Sequence, residues 1–258
     1  MLSEGMGFDF VFILALIIAV VYIVKKTEKN EGTGWQIRRI PGLDAIEEGI
    51  GRATEMDKPV LYLPGAGGFD QPQLLASMAV LSEVAKMTAR YDTRLIVCVP
   101  YSGVYPVMQE IVKQAYASEG KVENYRPDDV RWFSDHYYGY ALGIVALMFQ
   151  EQIATNIMIG DFAFDALMYA EAGNQVGAIQ VGGTAAITQI PFFVAACDYA
   201  LIGEEIYAAA AYLTKDPIRV ATIVAQDWGK FFVTGLLVVG VLLQTFGGVE
   251  ILNSILNW

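Results

Sequence analysis

Basic residues, histidine and cysteine are what this sequence has least of. Of its 258 residues, 17 are Lys or Arg, one is His and two are Cys, against 28 Asp and Glu. The net charge of −11 argues against a nucleic-acid partner, because phosphate binding needs clustered Lys and Arg to release counterions. One histidine and two separated thiols cannot supply a transition-metal shell, and Cys98 and Cys197 form neither a CxxC pair nor a disulfide framework. Cys98 falls inside an expected strand and Cys197 among Ala and Phe, so both read as packing groups. The phosphate loop GxxxxGK[ST] and the nucleophile elbow GxSxG are missing too. No cofactor, metal or catalytic set is read from these residues.

What is abundant is apolar. Hydrophobic residues make up 55% of the chain and charged ones 17%, where a soluble domain carries about 45–50% and about 25%. Lipid is the expected partner of part of it. Phe8–Val24 (FDFVFILALIIAVVYIV) is interrupted only by Asp9 and followed by Lys25 and Lys26. It reads as a first transmembrane helix of about 25 Å, somewhat short of a hydrocarbon core of about 30 Å. A signal peptide would carry its positive charges before the run and a small-residue cleavage site after it. Phe231–Val249 (FFVTGLLVVGVLLQTFGGV) reads as a second span, with Trp228 and Lys230 at its interface. All 17 Lys and Arg lie from Lys25 to Lys230, so residues 1–7 and the C-terminus are expected outside and the middle in the cytoplasm of an inner membrane. The tail 250–258 (EILNSILNW) carries an apolar stripe that lies along the interface or continues the second helix.

Residues 25–39 read as a juxtamembrane linker, 40–214 as one α/β domain and 215–230 as a membrane-proximal helix. Pro41 opens an amphipathic helix with Leu43, Ile46, Ile50 and Ala53 on one face and Asp44, Glu47 and Glu48 loading its first turns. Apolar runs at Val60–Leu63, Arg94–Val99, Val130–Phe133, Asn156–Ile159 and Ala178–Val181 then alternate with helical stretches at Gln73–Tyr91, Tyr105–Ser118, Tyr138–Gln150 and Phe162–Ala172. Strands alternating with helices of this length predict right-handed βαβ units, hence a Rossmann-like three-layer domain with a mostly parallel sheet. A last long helix is expected from Pro191 to about Thr214.

From Trp132 through Thr214 no Lys or Arg occurs, while eight acids do. Either this half is largely sheet core, or its helices at Tyr138–Gln150 and Pro191–Leu213 pack against copies of themselves, or one of them enters the membrane. Self-association is the favoured expectation, with Tyr138, Phe192, Phe193, Asp198, Ile202 and Glu205 as interface candidates. Asp198 and Glu205, seven apart on one helix face with Ile202, could ring an oligomer axis and bind cations. Gln244 would be the one clearly polar residue of each second span.

The candidate ligand loop follows the first strand: Pro64–Asp70 (PGAGGFD), where Gly65, Gly67 and Gly68 let backbone approach a ligand. Asp70 stands where GxGxxG needs its third glycine, so a plain tight turn competes with this reading. Gly182, Gly183 and Thr184 form a second loop expected to face the first, with Tyr101, Ser102 and Asp161 beside them. Ser134 or Asp135, next to His136, is expected to cap the following helix.

The runs IPGLDAIEEGIGRATEMDKPVLYLPG (Ile40–Gly65), ARYDTRLIV (Ala89–Val97), PFFVAACDYALIGEEIYAAAAYL (Pro191–Leu213) and QDWGK (Gln226–Lys230) resemble an uncharacterised family of prokaryotic membrane proteins carrying a domain of unknown function. The resemblance covers about Trp35 to Lys230. It implies membrane anchoring and brings no activity, cofactor or site residue. The expectation is a non-enzymatic, self-associating membrane scaffold that could hold a protein partner on its cytoplasmic side. The alternatives are a domain binding a small nucleotide or phosphorylated ligand at the glycine loops, and an ion-conducting oligomer.

Overall fold

The structure, a computed structural model, describes residues 6–29, 40–214 and 217–245. The elements in chain order are α1 (Met6–Lys29), α2 (Pro41–Glu55), β1 (Val60–Gly65), α3 (Pro72–Arg90), β2 (Leu95–Val99), α4 (Tyr105–Ser118), β3 (Val130–Trp132), α5 (Tyr137–Glu151), β4 (Thr155–Asp161), α6 (Asp165–Val176), β5 (Ile179–Thr184), α7 (Ile190–Ala196), β6 (Tyr199–Ile202), α8 (Glu205–Thr214) and α9 (Pro217–Thr245). Two compact units result, one holding α1 and α9, the other α2 to α8 with the sheet.

In the larger unit all six strands are parallel, in the order β3-β2-β1-β4-β5-β6. The five expected strands are present: β1, β2 and β4 are short runs that the sheet buries on both faces, while β3 at the edge buries Val130 and leaves Trp132 exposed. Alternate residues feed separate cores. Tyr62, Val97, Ile157 and Val181 point to one face and join α2, α3, α4 and α8. Leu61, Leu63, Ile96, Cys98 and Met158 point to the other and join α5 and α6, with Phe193 of α7. The result is a three-layer α/β domain. Its largest buried tyrosine on the first face, Tyr62, satisfies its hydroxyl on the Ser77 carbonyl at 2.7 Å.

One element differs from expectation. The segment from Pro191 is not one helix: α7 stops at Ala196, Cys197 turns extended, β6 adds a sixth strand, and Gly203 at φ +62° makes the turn into α8. Nearly every position from 191 to 202 is apolar or small, so no periodicity separates helix from buried strand there. Pairing decides instead, because Val181 to Thr184 of β5 offers a free ladder to Tyr199 to Ile202. Asp198 is consequently not in a helix; its Oδ2 accepts the Gln180 N–H at 2.8 Å and fixes the start of β6. Glu205 opens α8, where its Oε2 accepts the Ile202 N–H at 3.0 Å. Asp198, Ile202 and Glu205 share no helical face, so the single-helix arrangement expected to carry a carboxylate ring is absent.

The smaller unit packs α1 along α9. Both helices carry exposed apolar side chains, among them Phe10, Ile13 and Ile18 of α1 and Phe231, Leu237 and Val241 of α9. The helix of α1 continues through the Lys25 to Lys29 stretch expected to be linker. Among the described residues, Thr222–Leu242 of α9 is the segment long and apolar enough to cross a membrane. It begins nine residues before the expected Phe231, so Asp227, Trp228 and Lys230 fall inside it. Residues 1–5, 30–39, 215–216 and 246–258, including the amphipathic tail, lie outside the described residues.

Candidate functional site

In an open parallel sheet a crevice forms where strand order reverses, because the helices after the two neighbouring strands leave to opposite faces. Here that point is β1 beside β4: α3 leaves to one face and α6 to the other. At their carboxyl ends the two strands touch backbone to backbone. Gly65 has φ +80°, and a Cβ on it would lie 2.1 Å from the Asp161 carbonyl oxygen; one on Gly160 would lie 1.9 Å from the Pro64 carbonyl oxygen. Only glycine fits either position. Ala66 N–H donates to the Asp161 carbonyl at 2.7 Å, and the ladder shifts register between Leu63 and Gly65.

Two glutamines at the start of α3, Gln71 at its N-cap and Gln73 in its first turn, reach into this crevice. Gln73 donates from Nε2 to Asp161 Oδ1 at 3.3 Å, while its Oε1 accepts the Ala185 N–H at 2.9 Å and the Thr184 hydroxyl at 3.3 Å. It thus straps β4 to the end of β5. Gln71 also bonds the Asp161 carboxylate and lies against Gly67, where its Oε1 would be 2.6 Å from an added Cβ. That oxygen is buried without a hydrogen-bond partner, which marks a place a donor could enter. Burial pushes the Asp161 carboxyl above its ordinary value, and the neighbouring Asp165 adds to this, against the lowering by the Gln71 and Gln73 amides.

Behind Asp161, the β4–α6 turn buries Asp165, whose Oδ1 accepts the Tyr137 hydroxyl at 2.5 Å and the Ala163 N–H at 2.8 Å. Burial and this carboxylate push the Tyr137 hydroxyl well above its ordinary value. Tyr137 meets Phe164 edge-on at 5.0 Å, and Phe164 lies 5.3 Å from Tyr138.

The other candidates fall elsewhere. Gly182 and Gly183 are inside β5, not in a loop: a Cβ on Gly182 would meet Phe193 at 2.1 Å and Cys197 at 2.8 Å, and one on Gly183 would meet Leu201 and Ile206 at 3.2 Å. Their missing side chains make room for α7, β6 and α8, so they are packing positions. Phe193 itself is buried, which removes it from any outer surface, whereas Phe192 and Tyr138 are exposed. Thr184 is buried, and its hydroxyl also accepts the Ala186 N–H at 3.1 Å. Gly68 lies beside the Asp70 carboxylate. Ser102 donates N–H and hydroxyl to Asp135 at 2.7 and 2.9 Å, and Trp132 Nε1 donates to it at 3.1 Å. These bonds, the Ser102 N–H first, hold the Asp135 carboxyl below its usual range.

Asp135 therefore ties the β2 turn to β3 instead of capping α5. The N-cap of that helix is His136, with no side-chain bond, and Ser134 Oγ accepts the His136 N–H at 2.9 Å. Tyr101 is exposed beside this turn. Burial pushes both the Cys98 and the Cys197 thiol up to about 12, which leaves neither as a thiolate at neutral pH.

The turns after the six strands carry Asp70, Asp135 and Glu204, Asp161 ends β4, and no Lys or Arg is among them. A phosphate would find backbone N–H groups there but no cation. No group of three or more His, Cys, Asp or Glu that could hold a metal occurs among the described residues. A polar cavity of about 330 Å³ opens beside the start of β2 and β3, lined by Asp92, Arg94, Glu123, Arg126 and Asp129, of which Arg94 and Asp129 are paired with each other and Asp92 with Lys121.

Gly160, Gln71 and Gln73 carry this site and were not read from the sequence. A glycine inside the strand run IMIGD is the usual sign of close backbone approach, so Gly160 left a signal. The glutamines left none. No curated protein and no solved structure matches the chain. A family match spans nearly all of it, covering both the sheet unit and the two-helix unit, and the chain belongs to the family described as Domain of unknown function (DUF6754), which matches residues 4–255.

Proposed function

We propose that the protein is a membrane-anchored α/β domain that binds a small ligand in the crevice between the carboxyl ends of β1 and β4. The observation that carries this reading is the convergence of Gln71, Gln73 and Asp161 on the strand-order reversal, with an unpartnered amide oxygen among them. The lining favours a neutral or cationic ligand with hydrogen-bond donors. A free phosphate group, the earlier alternative, meets carboxylates and no counter-charge.

Two spans, α1 over Phe8–Val24 and a second within α9, would anchor the domain, and the apolar exteriors of both helices support lipid contact. The confinement of Lys and Arg to Lys25 through Lys230 supports a cytoplasmic domain with both termini outside.

A thermal-shift screen of the purified full chain against nucleosides, amines, polyols and amino acids tests the binding. A true ligand at about 100 times its Kd stabilises by about 2.7 kcal/mol. Gly67→Val would push Gln71 out of place and should abolish that stabilisation, and Asp161→Asn should weaken it most for amines. A ligand that stabilises Gly67→Val as strongly as the unaltered chain binds elsewhere, and that result rejects the site.

A further inference from the structure

We infer that the outer face of α5, together with the start of α6, is an interface with a second copy of this chain. The sequence of α5, YYGYALGIVALMFQE, has no charged residue before Glu151. Its inner side chains Tyr140, Ile144, Leu147 and Met148 are buried against the sheet. Its outer stripe, at helical spacing, is Tyr138 at 61%, Leu142 at 62% and Phe149 at 42% exposure, with Ala146 between them. A helix apolar on all sides is a helix covered on all sides. On the opposite face of the sheet the outer positions of α3 and α4 carry Glu83, Lys86, Glu110 and Lys113, as a solvated surface does.

The patch continues onto the next helix. Phe164 and Leu167 are about half exposed, and the Tyr138 and Phe164 rings lie 5.3 Å apart, which joins the two helices into one surface. At roughly 100 Å² each, these five side chains expose about 500 Å², the upper range for a single patch on a monomer. A standard interface buries about 800 Å² per partner, about 65% of it apolar in homodimers, or close to 520 Å². The patch supplies that core by itself.

Charge selects the occupant. No Lys or Arg occurs between Trp132 and Thr214, and the patch holds no charged side chain. An anionic lipid surface is unsuitable, since helices that lie on one are flanked by Lys and Arg and this chain carries −11. A basic partner would gain little from a centre without carboxylates. A two-fold pairing brings two neutral patches together and leaves Asp135 and Glu171 at the rim, where water and salt screen them.

Native mass spectrometry of the full chain in nanodiscs, with Leu142→Glu and Leu167→Glu beside it, tests the interface. Dimers are expected for the unaltered chain and monomers for each variant, with dissociation constants raised at least about tenfold, corresponding to about 1.4 kcal/mol. Leu142→Cys supplies a second test that leaves the face uncharged. In a Cys197→Ser background, which removes the partly exposed native thiol and leaves the buried Cys98, Leu142→Cys should form a disulfide-linked dimer on mild oxidation, while the same background with Leu142 intact should not. A monomeric unaltered chain, or a dimer indifferent to both glutamates, overturns the assignment. So does a monomer holding a different protein that Leu142→Glu releases, which would give the face to that protein.

Discussion

Gly160→Ala is expected to cost about 3 kcal/mol or more of folding stability, at the upper end of what overpacking in a core does. The added methyl would sit 1.9 Å from the Pro64 carbonyl oxygen, and that atom belongs to strand backbone that cannot swing aside as a side chain would. Relief requires β1 and β4 to part at their carboxyl ends, where the Ala66 to Asp161 hydrogen bond holds them. For a chain of this size the loss corresponds to a fall of about 6–12 °C in Tm. Gly65→Ala should act similarly, through the Asp161 carbonyl and its own φ of +80°. The double variant should lose less than the sum, because both methyls open the same clasp. Gly51→Ala is the control: it lies in α2 with nothing within 4 Å of an added Cβ, and should raise stability by about 0.5–1 kcal/mol. Scanning calorimetry of the three single variants checks the order. A Gly160→Ala chain as stable as the unaltered one would show that the two strands do not meet as described.

Arg94→Met is expected to cost about 2–3 kcal/mol, less than the 3–5 typical of a fully buried pair because about a third of the arginine side chain is exposed. Its guanidinium donates to Asp129 at 2.6 Å and to Glu151 at 2.7 Å, and Arg131 donates to Glu151 at 2.7 Å from the other side. Together these four side chains join the start of β2, the turn before β3 and the end of α5. Removing Arg94 leaves two carboxylates sharing one arginine, with Asp129 buried. Arg94→Lys should lose less, retaining the charge without the planar fork that grips Asp129.

The pH dependence has a definite sign. Burial raises the Glu151 carboxyl, but the hydrogen bonds and charges of Arg94 and Arg131 outweigh it, and its folded pKa lies below the ordinary 4.5. A depressed carboxyl contributes stability that is complete above its unfolded pKa and is lost as pH falls through the folded value. The gap between the unaltered chain and Arg94→Met should therefore be constant at neutral pH and narrow below about 4.5 as Glu151 takes up a proton. Urea titrations across that range measure it, and a gap that widens on acidification would refute the network's role.

Much of the chain could be read without coordinates. Strands such as Val60–Leu63 and Leu95–Val99 are recognisable because burial on both faces leaves an apolar run, and Pro41 and Pro191 mark helix starts by the φ they impose. The same property hid β6: where almost every residue is apolar, helix and buried strand look alike until a neighbour offers its ladder. Glycine was equally ambiguous. Gly65 and Gly67 do border the crevice, while Gly182 and Gly183, alike in one dimension, give space to Phe193, Leu201 and Ile206. A glycine states that a side chain is excluded, and not by what.

Composition and local pattern alone determined the α/β class, the apolar runs near both ends and the one-signed charge of residues 132–214. These are properties of residues or of short windows. Tertiary structure alone decided the strand order, the meeting of Gly65 with Gly160, the capture of Asp161 by two glutamines and which helix of the acidic half presents its apolar face outward. Each of those depends on which distant segments pair across the sheet, and pairing is a competition among the strands of the folded chain that no single segment records.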